Sequence, residues 1–480
     1  MGLSKSRIMA GLQCAKRLHL SVHRPEVEEE NAAAEARFNV GHEVGAVARS
    51  LYPGGRLIGH ETKPSAALEE TREALAVPGD LVLFEPAFAH DGTLIRGDLL
   101  LRKDGGYFLL EVKAATSVKA PYLPDVAIQT WCMASAGFPV QAVAIAHVDS
   151  SWVYPGGGDY NGLLLAVDVS EEVAPLRQEV PMWVREFEAV LAGAEPEIPV
   201  GRQCNDPYPC PFQPHCRRDE PEYPVTIFSR WPSLLRSLEA SGVTRVESVP
   251  EDLLYDDVQR RILRCTRSGA AELDPAVRDE LAGLPYPRYY LDFETMQFAV
   301  PIWAGTRPYE QLPFQWSCHV EGRDGSLRHL EFLDTSGGLP VRDFAERLIE
   351  ALGHSGPVFV YSAFERSTLR RVIQRHPDLK VPLEAIIGRL VDLLPVARAH
   401  YYHPAMKGSW SIKEVLPTIA PDLDYADLEV ADGGMAQEAY REMIAADTGQ
   451  ERRAALAQAL RVYCERDTMA LVRVVRFFQG

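Results

Sequence analysis

Residues 94–116, LIRGDLLLRKDGGYFLLEVKAAT, form two apolar-rich runs around Asp104-Gly105-Gly106. That pattern predicts a strand, a tight turn and a second strand. A second apolar run, YYLDFETMQF at 289–298, predicts a buried strand interrupted by Asp292 and Glu294. Residues 358–372, VFVYSAFERSTLRRV, change from a strand pattern to a helical one, and residues 451–480 carry a long amphipathic helical pattern. Helices are also predicted at the N-terminus (MGLSKSRIMAGLQCAKRLHL), around GHEVG at 41–45, and at AIQTWCMASAG, 127–137. Strands alternate with helices in both large regions, so the predicted fold class is α/β.

Composition sets the limits of this picture. The chain has 480 residues, with 46% hydrophobic and 24% charged, ordinary values for globular domains. Its length suits about two to four domains. No apolar run spans a bilayer and the N-terminus lacks a signal peptide's apolar core, so the expected location is cytoplasmic, without membrane contact. Net charge is −17, and both halves are acidic: 20 basic against 31 acidic residues in 1–225, and 30 against 36 in 226–480. The balance argues against coating of nucleic acid by bulk charge, though not against a local basic groove beside an acidic metal site. Three regions are expected. Residues 1–225 end in the Pro- and Cys-rich QCNDPYPCPFQPHCRRDEPEYP. Residues 226–285 read as a helical linker, with LEASGVTRVESVPEDLL similar to small helix-hairpin-helix units. Residues 286–480 follow.

The 94–116 hairpin places Asp98 on its first strand and Glu111 and Lys113 on one face of its second. Two carboxylates suit Mg²⁺ or Mn²⁺, which polarise a phosphate and lower the pKa of an attacking water. A lysine beside them would orient that water or stabilise the developing charge. A solvated ion pair on the hairpin is the alternative. The pattern G-D-x12-E-V-K resembles the PD-(D/E)XK (restriction-endonuclease-like) nucleases, in particular their RecB-like branch. That resemblance implies a metal ligand near GHEVG, His42 first and Glu43 second, and a helix Gln at Gln129. Met133 stands where the family usually has Tyr.

Eight cysteines are present. In a cytoplasmic chain a cluster points to metal rather than disulfides. Cys204, Cys210 and Cys216 are separated by five residues each, and Cys14 lies near the N-terminus. The layout of one cysteine before the nuclease core and three after it resembles AddB-type nucleases. It implies that the four thiolates bind a [4Fe–4S] cluster. The first gap is five residues here and two in the family. Zinc is the alternative, with His215 as a further ligand. Cys132, Cys265, Cys318 and Cys464 read as core residues.

In the last region the acids come in a fixed order: Asp292 and Glu294, then Glu365, Asp392, and Asp467 four residues after Tyr463. This order resembles the DEDD exonucleases, whose core is RNase H-like. It implies two ions ~4 Å apart held by Asp292, Glu294, Glu365 and Asp467, with Tyr463 orienting the water. Glu365 stands where the family has Asp, and Asp392 is a reserve ligand. The Ser-Ile-Lys of SWSIKEVL resembles the segment lining the substrate groove. Arg452, Arg453, Arg461 and Arg466 read either as a phosphate-facing surface or as solvated helix charges. Residues 288–435 also look like the domain of unknown function 2779 family, on LDFET, PFQWSCHV, VYSAFE, VDLLPVARAHYYHP, GSWSIKEVLP and DGGMA.

The reading is a Mg²⁺- or Mn²⁺-dependent nuclease with two separate sites, acting on DNA ends or single strands ahead of RNA, in repair or defence. Two alternatives stand beside it: a nucleic-acid-binding or regulatory protein with one or both sites inactive, and an RNA-processing exonuclease. The sequence names no protein partner.

Overall fold

The computed structural model describes residues 3–29, 32–59, 63–425 and 427–480, with the side chains of 32–34 left aside. The chain is a mixed α/β protein of two compact units. The first comprises Met1–Asp219 with Phe298–Glu310, and the second Glu220–Gln297 with Gln311–Gly480.

The first unit begins with α1 (Lys5–Gln13), α2 (Ala15–His23) and α3 (Ala32–Ser50). Then come β1 (Arg56–Leu57), α4 (Pro64–Ala76), β2 (Leu81–Phe84), β3 (Ala87–His90), β4 (Thr93–Arg96), β5 (Leu99–Lys103) and β6 (Gly106–Lys113). It continues with α5 (Tyr122–Ser135), β7 (Val140–Val148), β8 (Leu164–Asp168), α6 (Ser170–Ala192) and α7 (Gln213–Arg217). Six strands make a mixed sheet in the order β1-β2-β5-β6-β7-β8. The predicted hairpin is β5–β6, antiparallel from Leu99 opposite Leu110 to Lys103 opposite Gly106. Asp104 and Gly105, at φ 51° and 78°, form its two-residue turn, the backbone such a turn requires. β6 and β7 are parallel, and α5 supplies the crossover that parallel strands need. Its face toward the sheet buries Val126, Ile128, Cys132 and Met133 among Leu83, Leu100, Leu109 and Ile145.

The second unit holds α8 (Pro232–Ala240), α9 (Asp257–Ser268), β9 (Glu272–Leu273), α10 (Ala276–Ala282), β10 (Arg288–Met296), β11 (Leu312–Glu321) and β12 (Leu327–Leu333). After these come α11 (Val341–Leu352), β13 (Val358–Val360), α12 (Phe364–Arg375), α13 (Lys380–Ile387), β14 (Leu390–Asp392), α14 (Leu393–His400) and β15 (Tyr401–Tyr402). The unit closes with α15 (Ile412–Ile419), α16 (Gly433–Ile444) and α17 (Gln450–Gln479). Its sheet runs β12-β11-β10-β13-β14. The first three strands are antiparallel neighbours, and β10, β13 and β14 are parallel.

Residues 226–285 are helical, as their pattern implies, but they are not a separate linker. Phe228, Leu234, Leu238, Ile262 and Leu281 share one core with Tyr290, Phe359 and Val475. The apolar faces of these short helices are covered by the sheet and by α17, which a free linker would leave wet.

Candidate active sites

The first site forms where β6, α5 and α1 meet. Glu111 and Lys113 lie two apart on β6, and Glu111 is only 1% exposed. Lys113 Nζ is 2.7 Å from Glu111 Oε1 and 2.7 Å from Asp125 Oδ2. Gln129, one turn after Asp125 on α5, donates its amide to Glu111 Oε2 at 2.8 Å and to Asp125 Oδ1 at 3.2 Å. Asp98 precedes β5, and its Oδ2 accepts the Val112 N–H at 2.6 Å. A Cβ on the neighbouring Gly97 would stand 3.0 Å from Leu109 Cδ1 and 3.2 Å from Gln129 Oε1, so a larger residue there would press on both side chains.

Charge separates the two acids. Burial raises the Asp98 carboxyl and Glu111 adds to it, up to about 8. Burial also opposes ionisation of Glu111, but Lys113 and Lys5 outweigh it and hold that group well below the usual carboxylate range. Lys5, at the start of α1, lies 3.1 Å from Glu111 Oε1 and 3.0 Å from Asp125 Oδ1.

Asp98, Glu111, Lys113 and Gln129 thus converge as the sequence implied. His42 does not join them: it is exposed on α3, edge-on to Phe38 with centroids 4.2 Å apart. Glu43 lies within electrostatic reach of Tyr160 and Tyr309. Lys5 and Asp125 were not read from the sequence. Asp125 carried one usable signal, its position four residues before Gln129 on the same helix face.

The second site is a pocket lined by Cys14, Cys204, Cys210 and Cys216, with Lys16, Arg17 and Phe212 beside them. Cys14 is the extended residue between α1 and α2, and Cys216 lies on α7. The Cys210 N–H donates to the Cys204 carbonyl at 2.8 Å, closing the loop that brings the thiols together. Burial, with the neighbouring cysteines, pushes the Cys210 and Cys216 thiols up. His215 is not among the lining residues.

The third site lies on β10. Every other residue of that strand is buried, Asp292 is half-buried and Glu294 is 7% exposed. The pairing of β10 with β11 shifts register between Glu294 and Thr295, opposite Pro313. Proline has no N–H to give the ladder, and a bulge there re-aims the neighbouring side chain. Glu365 is in the first turn of α12, and the chain enters that helix through Ser362 at φ 131°, a strained angle for a non-glycine residue. Tyr463 and Asp467 share one buried face of α17.

Asp292, Glu294 and Cys464 offer ligand atoms within 4.8 Å of one another. Asp467 accepts hydrogen bonds from the Tyr425 hydroxyl at 2.6 Å and from Tyr463. Buried Glu365 Oε2 has no hydrogen-bond partner. Burial comes first in raising all four carboxyls. Asp292 and Glu294 are driven well above their ordinary range, with Asp467 and Glu365 adding repulsion. Glu365 reaches about 8. Asp467 stops at about 6 because the two tyrosines and Lys413 favour its ionised form. This donor set, all oxygen apart from one sulfur and short of positive charge, fits hard divalent cations.

One expectation changes here. Cys464 is no plain core thiol, since its Sγ lies 3.7 Å from Asp292 Oδ2. Asp392 caps α14 by accepting the Leu394 N–H at 3.0 Å, within the field of Glu365. The arginines near and on α17 are engaged with neighbouring groups. Arg452 pairs with Glu442 and Glu429, Arg461 with Glu331 and Arg466 with Asp427, while Arg453 donates to the Ala445 carbonyl. Tyr425 was not singled out in the sequence, Lys413 stood there only within the Ser-Ile-Lys expected to line the groove, and Asp432 only within DGGMA. Lys413 and Asp432 both act electrostatically on Glu294.

The model of the family described as a domain of unknown function (DUF2779) matches residues 289–411. It runs from β10 through Glu365 and Asp392 to Ser411. An uncharacterized protein of Ureaplasma parvum serovar 3, UU173, is 24% identical over 264 residues. That match takes in 49% of this chain and 38% of the relative's length.

Proposed function

We propose that the chain is a divalent-metal-dependent nuclease with two hydrolytic centres, one in each unit. The observation that carries this reading is the gathering of Asp292, Glu294, Glu365 and Asp467 in one buried place, where Lys413 is the cation that acts on Glu294 and Asp467. Unneutralised, such a cluster is costly. Divalent ions would remove that cost, polarise a phosphodiester and lower the pKa of the attacking water. The Tyr463 hydroxyl, held by Asp467, would orient that water as in a DEDD-type, RNase H-like exonuclease. In the first unit Asp98 and Glu111 would hold an ion, and Lys113 would steady the attacking water in the manner of a RecB-like PD-(D/E)XK nuclease.

The four-cysteine pocket would carry a structural metal centre. Thiolates are the ligands an iron–sulfur cluster takes. A tetrahedral zinc site, with Zn–S near 2.3 Å, sets its sulfurs about 3.8 Å apart. The layout, with Cys14 far along the chain from the other three cysteines, favours the iron–sulfur cluster over zinc. DNA is the preferred substrate.

The test is a cleavage assay on end-labelled single- and double-stranded DNA and RNA with Mn²⁺, using protein purified without oxygen. Asp292→Ala and Lys113→Ala should each remove a distinct set of products, the latter by about 10²–10³ in rate. A wild type that binds nucleic acid but cuts nothing would sink the enzyme reading in favour of a binding protein.

A further inference from the structure

Lys5 has no part in the nuclease chemistry described so far, yet it sits at the centre of the first site. Lys5, Glu111, Lys113 and Asp125 form a closed ring of alternating charge. Lys5 bridges Glu111 Oε1 and Asp125 Oδ1 at 3.1 and 3.0 Å, and Lys113 bridges Glu111 Oε1 and Asp125 Oδ2 at 2.7 Å each. Both ammonium groups therefore sit on the same Glu111 oxygen, while Gln129 takes the other.

A Mg²⁺- or Mn²⁺-type ion binds carboxylate oxygen at about 2.1 Å. It cannot share Glu111 Oε1 with two ammonium groups, because like charges at such separations repel strongly in a half-buried site. One lysine must give way. Lys113 is fixed on β6, two residues from Glu111. Lys5 comes from a separate helix and is the more loosely held of the two, at 3.1 and 3.0 Å from Glu111 and Asp125 against 2.7 Å each for Lys113. Lys5 is the cation free to leave. Once displaced it is an ammonium beside the reacting phosphate, with a carboxylate partner lost.

Resting on the nuclease reading, we propose that Lys5 is an internal cation that fills the divalent-ion site of the first unit in the free protein and becomes a ligand of the substrate phosphate when the ion binds. Ion and phosphodiester then favour each other's binding, because each relieves the strain the other creates. By linkage the effect is reciprocal.

The experiment is a calorimetric Mn²⁺ titration of the full chain, purified without oxygen, carrying Asp292→Asn and Glu294→Gln to silence the second centre. The probe is a single-stranded phosphorothioate DNA oligonucleotide. With Lys5 intact, the oligonucleotide should tighten Mn²⁺ binding about tenfold, within the usual range of such couplings. Lys5→Gln should bind Mn²⁺ about tenfold more tightly without oligonucleotide, and should lose most of the oligonucleotide effect. Lys5→Arg should keep both behaviours. Unchanged or weaker Mn²⁺ binding in Lys5→Gln overturns the proposal. If Lys5→Gln does not fold, the absence of any oligonucleotide effect with Lys5 intact overturns it equally. Asp98→Asn separates the two levels of failure. If it leaves Mn²⁺ binding unaltered, the first unit holds no such ion site and the nuclease reading of that unit falls as well. If it abolishes binding while Lys5→Gln changes nothing, only the role of Lys5 falls.

Discussion

At the scale of the residue, the β10 cluster is governed by who donates to whom. Asp467 receives two tyrosine hydroxyls and stays the most acidic of its group, whereas Glu365 keeps an oxygen with no donor. Tyr425→Phe should therefore weaken Mn²⁺ binding at this centre by about 10–100-fold, the usual cost of losing a hydrogen bond behind a metal ligand. A calorimetric titration against wild type checks it, and equal affinity would remove Tyr425 from the site. Cys464 adds a softer donor than oxygen. Cys464→Ser should lower the preference for Mn²⁺ over Mg²⁺ in cleavage, measured as a ratio of rates. Asp98, Glu111, Asp292 and Glu294 were legible in the sequence because charges inside apolar strands stand out. Lys5 and Tyr425 were not, since they reach the sites from other segments and no spacing along the chain marks them.

At the scale of the element, β10 is anchored at its first residue. Arg288 is 2% exposed, and it donates to the carbonyls of Leu281 and Leu284 and to Gln479 Oε1. It ties the loop after α10 and the end of α17 to the strand that bears the acids. Arg288→Ala leaves those acceptors unpaired and should cost about 3 kcal/mol, read from the denaturant midpoint. A second tie needs glycine. Gly356 has φ +88°, and a Cβ there would stand 1.9 Å from the Pro287 carbonyl oxygen. Gly356→Ala should destabilise the second unit by more than ~2 kcal/mol in the same assay, and a neutral result would refute the packing argument. The hairpin, the β10 strand and the α17 helix were legible from periodicity and turn residues. The role of residues 226–285 was not, because an amphipathic pattern shows that a helix has an apolar face and not what covers it.

At the scale of the whole molecule, both units carry carboxyls raised by burial: Asp98 and Glu365 to about 8, Asp467 to about 6. Such groups hold protons in the folded chain that the unfolded chain has already released. Their contribution to stability is full below the unfolded carboxylate pKa of about 4 and is lost as pH rises toward about 8. In divalent-free buffer the Tm should therefore fall between about pH 5.5 and pH 8, and Mn²⁺ should restore more of it at the higher pH. A Tm that is flat or rising over that interval would contradict the burial of these acids.

The route of the chain has a consequence for inheritance. Between β10 and β11, residues Phe298–Glu310 belong to the first unit, where Tyr154 N–H donates to the Thr306 carbonyl at 3.0 Å and the Tyr309 hydroxyl reaches the Ala114 carbonyl. A gene break after residue 219 would thus leave the upstream product without part of its own body and give the downstream product a stranded loop. The halves cannot be traded by one recombination event, as beads on a string can. Each must evolve in the company of the other, and a lineage that loses the buried acids of one unit is constrained to keep its scaffold.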